Sequence, residues 1–147
     1  MLVPHGPVRN QPVSVANAAA AVVLGVGLLL FTRLVRPWML HAFMAIATVQ
    51  IAVGMQFLGR GPLSVTAPGF YIWMTIFAFY FFSWRAAVTH TVLMAVALGG
   101  ALWALHEPAG PGIWLVAMGT AVGAGLVVGA LSRQLRHAAG TDGLTGL

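Results

Sequence analysis

Five histidines, two acidic residues and no cysteine are the groups from which this chain could build a reactive site. His41 and His90 are the pair whose placement invites chemistry. Each sits about one turn inside a long apolar stretch. If both stretches leave the same side of a membrane, the two imidazoles share a depth. Matched imidazoles on different helices could ligate a haem or a metal ion. More ordinarily, each imidazole satisfies itself on a backbone carbonyl, a neighbouring helix or headgroup water, with the ligand pair as the alternative. His106 beside Glu107 reads as a solvated loop pair. The missing cysteines exclude thiolate metal sites, disulfide frameworks and cysteine nucleophiles together. No ionisable Asp, Glu, Lys or Arg falls in the middle of an apolar stretch. That argues against proton relays, voltage sensing and coupled transport. Intramembrane hydrolysis would need paired carboxylates, a His-rich metal site or an activated serine, and none is present as a set. The amides Asn17, Gln50 and Gln56 are expected to bridge helices. The aromatic run from Phe70 to Trp84 either lines a pocket for a quinone or lipid-like molecule or, as rings spread around a helix more often do, faces lipid.

The elements that carry these residues follow from composition. Of 147 residues, 60% are hydrophobic and 6% charged, with a mean hydropathy of +0.93. Soluble domains carry about a quarter charged residues, and disordered chains are poor in apolar ones. Both classes are excluded, which leaves an all-α integral membrane protein. The charges act as a ruler: the uncharged intervals between Arg9, Arg33, Arg36, Arg60, Arg85, Glu107 and Arg133 include five of 21 to 25 residues. A helix needs about 20 residues to cross a hydrocarbon core of about 30 Å. A bundle of five transmembrane helices is therefore predicted, at 13–32, 38–58, 63–82, 86–105 and 112–131. Barrel strands would alternate polar and apolar residues, and these stretches do not. Pro and Gly in the connections stop helices where water can take over the freed backbone groups. Pro68 means that the third span is either kinked in its first turns or begins near Gly69. Trp38, Trp73, Trp84, Trp103 and Trp114 all fall within about three turns of a predicted helix end, as interfacial tryptophans should.

All seven basic residues are arginines. With the first loop in the cytoplasm, Arg33, Arg36, Arg85, Arg133 and Arg136 lie inside and only Arg9 and Arg60 outside. The bias predicts N-out/C-in. The arginines form no patch along one face, so no nucleic acid partner is expected. Residues 1–12 read as a short extracytoplasmic tail. A cleaved signal peptide fits less well, because the stronger positive charge follows the apolar run.

The fifth span has two small-xxx-small patterns, Gly119 with Gly123 and Gly125 with Gly129, which allow helix backbones to approach closely. One face would pack within the bundle, and the other is open to a second protomer. Residues 132–140 read as a short cytoplasmic signalling helix. Leu131, Leu135 and Ala138 form about one heptad of a seam, with Arg133 and Arg136 off it. Gly140 ends this helix, and the run Ala139 to Leu147 has the pattern A-x-T-D-x-L-T-G-L.

That run resembles the start of the GGDEF domain of diguanylate cyclases, where a signalling helix leads into D-x-L-T-G-L. The resemblance covers about nine residues: it rests on Asp142, Leu144, Thr145, Gly146 and Leu147 with the preceding alanine and threonine. It implies that 141–147 begin a truncated GGDEF domain, in which Asp142 and Thr145 fix the linker against the domain and are not catalytic. The family's metal-binding Asp, its guanine-holding residues and its Gly-Gly-[Asp/Glu]-Glu-Phe turn do not occur within the 147 residues. No cofactor is expected in this chain, and no activity from it alone. Mg and GTP are implied only for a full-length parent, in which two such domains meet and form cyclic di-GMP. The resemblance thus implies a membrane sensor and anchor of a diguanylate cyclase, in the bacterial cytoplasmic membrane, with the lipid bilayer as partner. A homodimer through the fifth helix and the signalling helix would bring the cyclase halves together. The alternative is a stand-alone structural or accessory membrane protein. A channel or transporter for a neutral solute is disfavoured by the lack of polar residues lining a path.

Overall fold

The computed structural model describes residues 11–30, 36–58 and 67–140. These form five helices and, among the described residues, no strand: α1 Gln11–Leu30, α2 Pro37–Leu58, α3 Gly69–Phe81, α4 Trp84–Ala104 and α5 Gly110–Gly140. Three of them, α2, α4 and α5, contain apolar stretches long enough to cross a membrane, while those of α1 and α3 are shorter. Large apolar side chains face outward on all five, among them Val22, Val49, Trp73, Val96 and Val116. A surface of that kind suits lipid rather than water. Arg9, Arg33, Arg60 and the motif residues Asp142, Leu144, Thr145, Gly146 and Leu147 lie outside the described residues.

Predicted and observed boundaries differ in instructive places. The third helix begins at Gly69, directly after a turn at Ala67 and Pro68, so proline starts the helix rather than kinking it. The last helix is longer than expected. The predicted segments 112–131 and 132–140 lie on one unbroken helix of 31 residues. Nothing between Leu131 and Arg133 interrupts it, and Ser132 is still buried. Residues 132–140 are therefore the end of α5, and Ser132 in their first turn still belongs to the bundle.

α3 and α5 form the most extensive helix pair, followed by α2 with α4. α4 also packs on α3 and α5, and α1 packs on α2. The fully buried side chains Thr48, Met55, Tyr71, Thr75, Met94 and Leu98 mark where α2, α3 and α4 converge. Polar side chains tie these helices together as apolar surroundings require. The Tyr71 hydroxyl donates to the Thr48 carbonyl at 3.1 Å, and Gln56 donates to the Ala101 carbonyl at 3.0 Å. Between α1 and α2 the link is reciprocal: Gln50 donates to the Asn17 carbonyl at 2.7 Å and Asn17 to the Gln50 carbonyl at 3.4 Å. Gly54 makes room for this link, since a Cβ there would lie 2.9 Å from Asn17 Nδ2.

The α4–α5 turn carries the fold's local strain. The His106 N–H bonds the Trp103 carbonyl at 2.9 Å and the Glu107 N–H bonds that of Leu102 at 3.3 Å. This is a Schellman closure, which places residue 106 in the left-handed region, and His106 has φ of 50°. Histidine pays there for a conformation that glycine adopts freely. His106→Gly should stabilise the protein by about 0.5–1 kcal/mol, read as a later midpoint in denaturant titration of the purified protein.

Candidate functional site

His41 and His90 meet. α2 and α4 begin at the same end of the bundle, and each carries its histidine in its second turn. The two helices pack side by side, so matched depth becomes contact. His41 Nδ1 lies 3.0 Å from His90 Nε2, with the rings within 7° of parallel. Phe82, at the C-terminal end of α3, closes the group. Its ring stacks on His41 with centroids 4.3 Å apart and stands 5.3 Å from His90. His90 is buried and His41 half-buried.

This geometry favours proton sharing over ligation. The ring nitrogens meet directly and leave no room for a macrocycle between them, so the pair does not fit axial haem ligation. Among the described residues, no cluster of three or more His, Asp or Glu is placed to hold a metal ion. The pair instead holds one N–H between two nitrogens. His90 Nδ1 is buried and has no hydrogen-bond partner. If His90 accepted through Nε2, the neutral ring would carry its proton on Nδ1 as a stranded donor. With His90 Nε2–H donating to His41 Nδ1, only a bare lone pair is left inside, and we assign that tautomer.

The assignment makes a measurable statement about coupling. His41→Phe strands the buried His90 N–H and should cost about 1–3 kcal/mol. His41→Phe with His90→Phe removes both partners and should cost less than the sum of the two single changes. A double-mutant cycle on unfolding free energies checks this, and strict additivity would remove the hydrogen bond from the account.

The same end of the bundle carries Arg36, Arg85, Arg133 and Arg136. Arg133 on α5 holds its guanidinium 5.2 Å above the Trp84 ring on α4, and Trp84 in turn meets Phe79 of α3 edge-on at 5.3 Å. A cation over an aromatic face fixes the emerging end of α5 to the start of α4. Glu107 lies at the opposite end, in the α4–α5 turn.

The glycines of α5 divide cleanly. A Cβ on Gly125 would lie 2.6 Å from Phe79 and 2.8 Å from Thr75, and one on Gly129 3.2 Å from Phe79. These two glycines seat α5 against α3. Cβ atoms on Gly119 and Gly123 would meet nothing within 4 Å, so that face looks outward. Leu131 and Leu135 are exposed as well, at 52% and 68%. Trp114 is placed differently from an interfacial ring: its indole N–H donates to the Ala95 carbonyl of α4 at 2.8 Å, inside the bundle. Spacing alone gave no sign of that bond, nor of the part played by Phe82. Comparison with protein-family models, with curated proteins and with solved structures finds no match to the chain.

Proposed function

We propose that this chain is the membrane-embedded sensory and anchoring segment of a diguanylate cyclase. In this reading all five helices cross the bacterial cytoplasmic membrane, with the N-terminus outside and the C-terminus inside. The observation that carries the reading is the A-x-T-D-x-L-T-G-L run at Ala139–Leu147, which continues directly from α5. An unbroken helix transmits rotation or displacement along its length, whereas a flexible joint would dissipate it. The four arginines at the end where α5 emerges support a cytoplasmic exit. α3 is only about 20 Å long at 1.5 Å per residue. Its lead-in at Ala67 and Pro68 is buried by protein, and irregular backbone at membrane depth is tolerated under that condition.

The cyclase chemistry belongs to the domain that would follow the motif. Two such domains, each with GTP and Mg, condense their substrates to cyclic di-GMP when they face one another. The role of this segment is to hold two chains together and to bias how often the halves meet. The coding sequence downstream of residue 147 is expected to contain Gly-Gly-[Asp/Glu]-Glu-Phe within about 150 codons, one domain's length. Alkaline phosphatase fused after Leu147 should be inactive in cells, and the same fusion after Glu107 active. The reverse pattern, or a downstream frame without the turn, would overturn the reading.

A further inference from the structure

One stripe of α5 changes character where its partner helix ends. Gly125, Gly129, Ser132, Arg133 and Arg136 fall within about 100° of one another around the helix. The two glycines seat α5 on Phe79 of α3. α3 then stops at Phe81 while α5 runs on to Gly140, so the stripe turns polar as its partner runs out. Two cavities lie there. One, of about 260 Å³, is lined by Ser83, Trp84, Arg133 and Arg136. The other, of about 390 Å³, is lined by Tyr80, Ser132, Leu135 and Arg136. Phe81 and Arg136 belong to both, which makes them two lobes of one notch. From Gly110 to Gly129 α5 rises about 29 Å, close to the hydrocarbon core of about 30 Å. With the α4–α5 turn at one face of a membrane, the notch lies among the headgroups of the other.

The lobes present unmet donors. Arg133 is held over the Trp84 ring, which fixes its charge and leaves its five N–H groups to donate elsewhere. Neither guanidinium has a hydrogen-bond partner among the described residues. Ser83 Oγ accepts from the Ala86 N–H at 3.5 Å and keeps its own proton to donate. Ser132 is only 6% exposed. Thr48, Thr75, Thr89 and Thr91 all return their hydroxyls to the carbonyl four residues back, at 2.7 to 2.9 Å, and Ser132 does not. Unlike Ser14 Oγ and His90 Nδ1, which are sealed, Ser132 Oγ lacks a partner and stays open to the lobe that it lines. Carboxylates cannot balance this end of the bundle. The sequence has two acidic side chains, and Glu107 lies at the opposite end. Asp142 alone remains against Arg36, Arg85, Arg133 and Arg136, so an excess of positive charge persists wherever Asp142 lies.

We propose that the notch binds the headgroup of an anionic phospholipid. The phosphodiester lies in the smaller lobe, where Arg133 and Arg136 donate to its oxygens beside Ser83. A guanidinium fork matches phosphate oxygens in geometry as well as charge. The larger lobe takes the glycerol portion, whose oxygens meet Ser132. Tyr80 and Phe81, exposed rings that meet edge-on at 4.7 Å, offer the acyl chains an apolar rest. A zwitterionic headgroup fits less well, because its own ammonium would meet two guanidiniums. A free phosphate would engage the arginines and leave the larger lobe and its rings unfilled. Such a site needs only that α5 reaches a membrane surface, whether or not a cyclase follows it.

The test uses the full chain in nanodiscs of phosphatidylcholine and phosphatidylglycerol in equal amounts, released into native mass spectrometry so that retained lipids are counted by mass. Wild-type protein should retain phosphatidylglycerol in preference by about 25-fold, roughly fivefold for each arginine. Arg133→Gln and Arg136→Gln should each reduce that preference about fivefold, and the double variant should abolish it. Both side chains are exposed, so helicity should not change. Ser132→Ala should reduce the preference about threefold, the loss of one ordinary hydrogen bond. Arg85→Gln, at the same end but outside both lobes, should leave it unchanged. Excess inorganic phosphate should not strip the lipid. Equal retention of the two lipids would overturn the site. So would an Arg85→Gln loss as large as that of Arg136→Gln, which would mean diffuse attraction to the charged end. Displacement by inorganic phosphate would overturn the lipid and leave a free-anion site. A Ser132→Ala protein with the wild-type preference would remove the larger lobe from the headgroup site.

Discussion

Gly125→Leu is expected to unseat α5 from α3 and to cost the protein about 3 kcal/mol or more, at the upper end for overpacked helix contacts. The contact has no slack. A single added carbon at Gly125 already comes within 2.6 Å of the Phe79 ring and 2.8 Å of the Thr75 methyl. Thr75 cannot turn aside, because its hydroxyl is bonded to the Tyr71 carbonyl at 2.7 Å and its β-branched side chain has few rotamers in a helix. Phe79 is held from the other side by Trp84. The leucine therefore forces the helices apart along the pair that holds more of the bundle together than any other. The same change at Gly119, where nothing lies within 4 Å, should be neutral or mildly stabilising, since leucine is the better helix former by several tenths of a kcal/mol. Denaturant titration followed by far-UV circular dichroism would show the two variants moving in opposite directions. Gly125→Leu combined with Phe79→Ala should regain part of the loss, which ties the damage to this ring. A Gly125→Leu protein as stable as wild type would mean that α3 and α5 do not pack through the glycines.

The contrast between Gly125 and Gly119 also marks how far the sequence could be read. Both belong to small-xxx-small pairs four residues apart, and nothing in their spacing says which faces protein. In a soluble helix the polar face would decide it. Here the outer face is as apolar as the inner one, because lipid replaces water, and the contrast that orients a helix disappears. Helix positions survive this loss. They depend on charges and on Pro and Gly at the ends, so α2 and α4 fall within two residues of expectation. The His41–His90 contact was partly legible, as equal depth on helices that start from one side, but adjacency of α2 and α4 was not. The expected end of the fifth span, Leu131, lies where the sequence turns polar. Arg133 lies over Trp84, so the charge begins while the helix is still packed.

If two chains pair through α5, single cysteines at Leu135 and Ala130 should behave oppositely. The wild-type chain has no cysteine, so each variant reports one position. At about 100° per residue, the Gly119–Gly123 face and the Leu131–Leu135 face point about 120° apart around α5. Ala130 projects on the glycine face, about 140° from Leu135. Both positions are exposed on the single chain, so access does not distinguish them. Two straight helices related by a two-fold axis can meet along one of these faces and not along both. A dimer held by the leucine seam brings Leu135→Cys residues together and leaves Ala130→Cys residues apart. Oxidation in membranes should then convert Leu135→Cys largely to disulfide dimers and Ala130→Cys hardly at all. The inverse pattern would place the glycine face at the dimer axis, with the seam splayed where the next domain would begin. A signal that rotated α5 by about a third of a turn would exchange the two patterns, which gives the proposed sensor a defined pair of states. No disulfide from either variant would remove the α5 dimer, and with it the route by which this segment could bring two cyclase domains face to face.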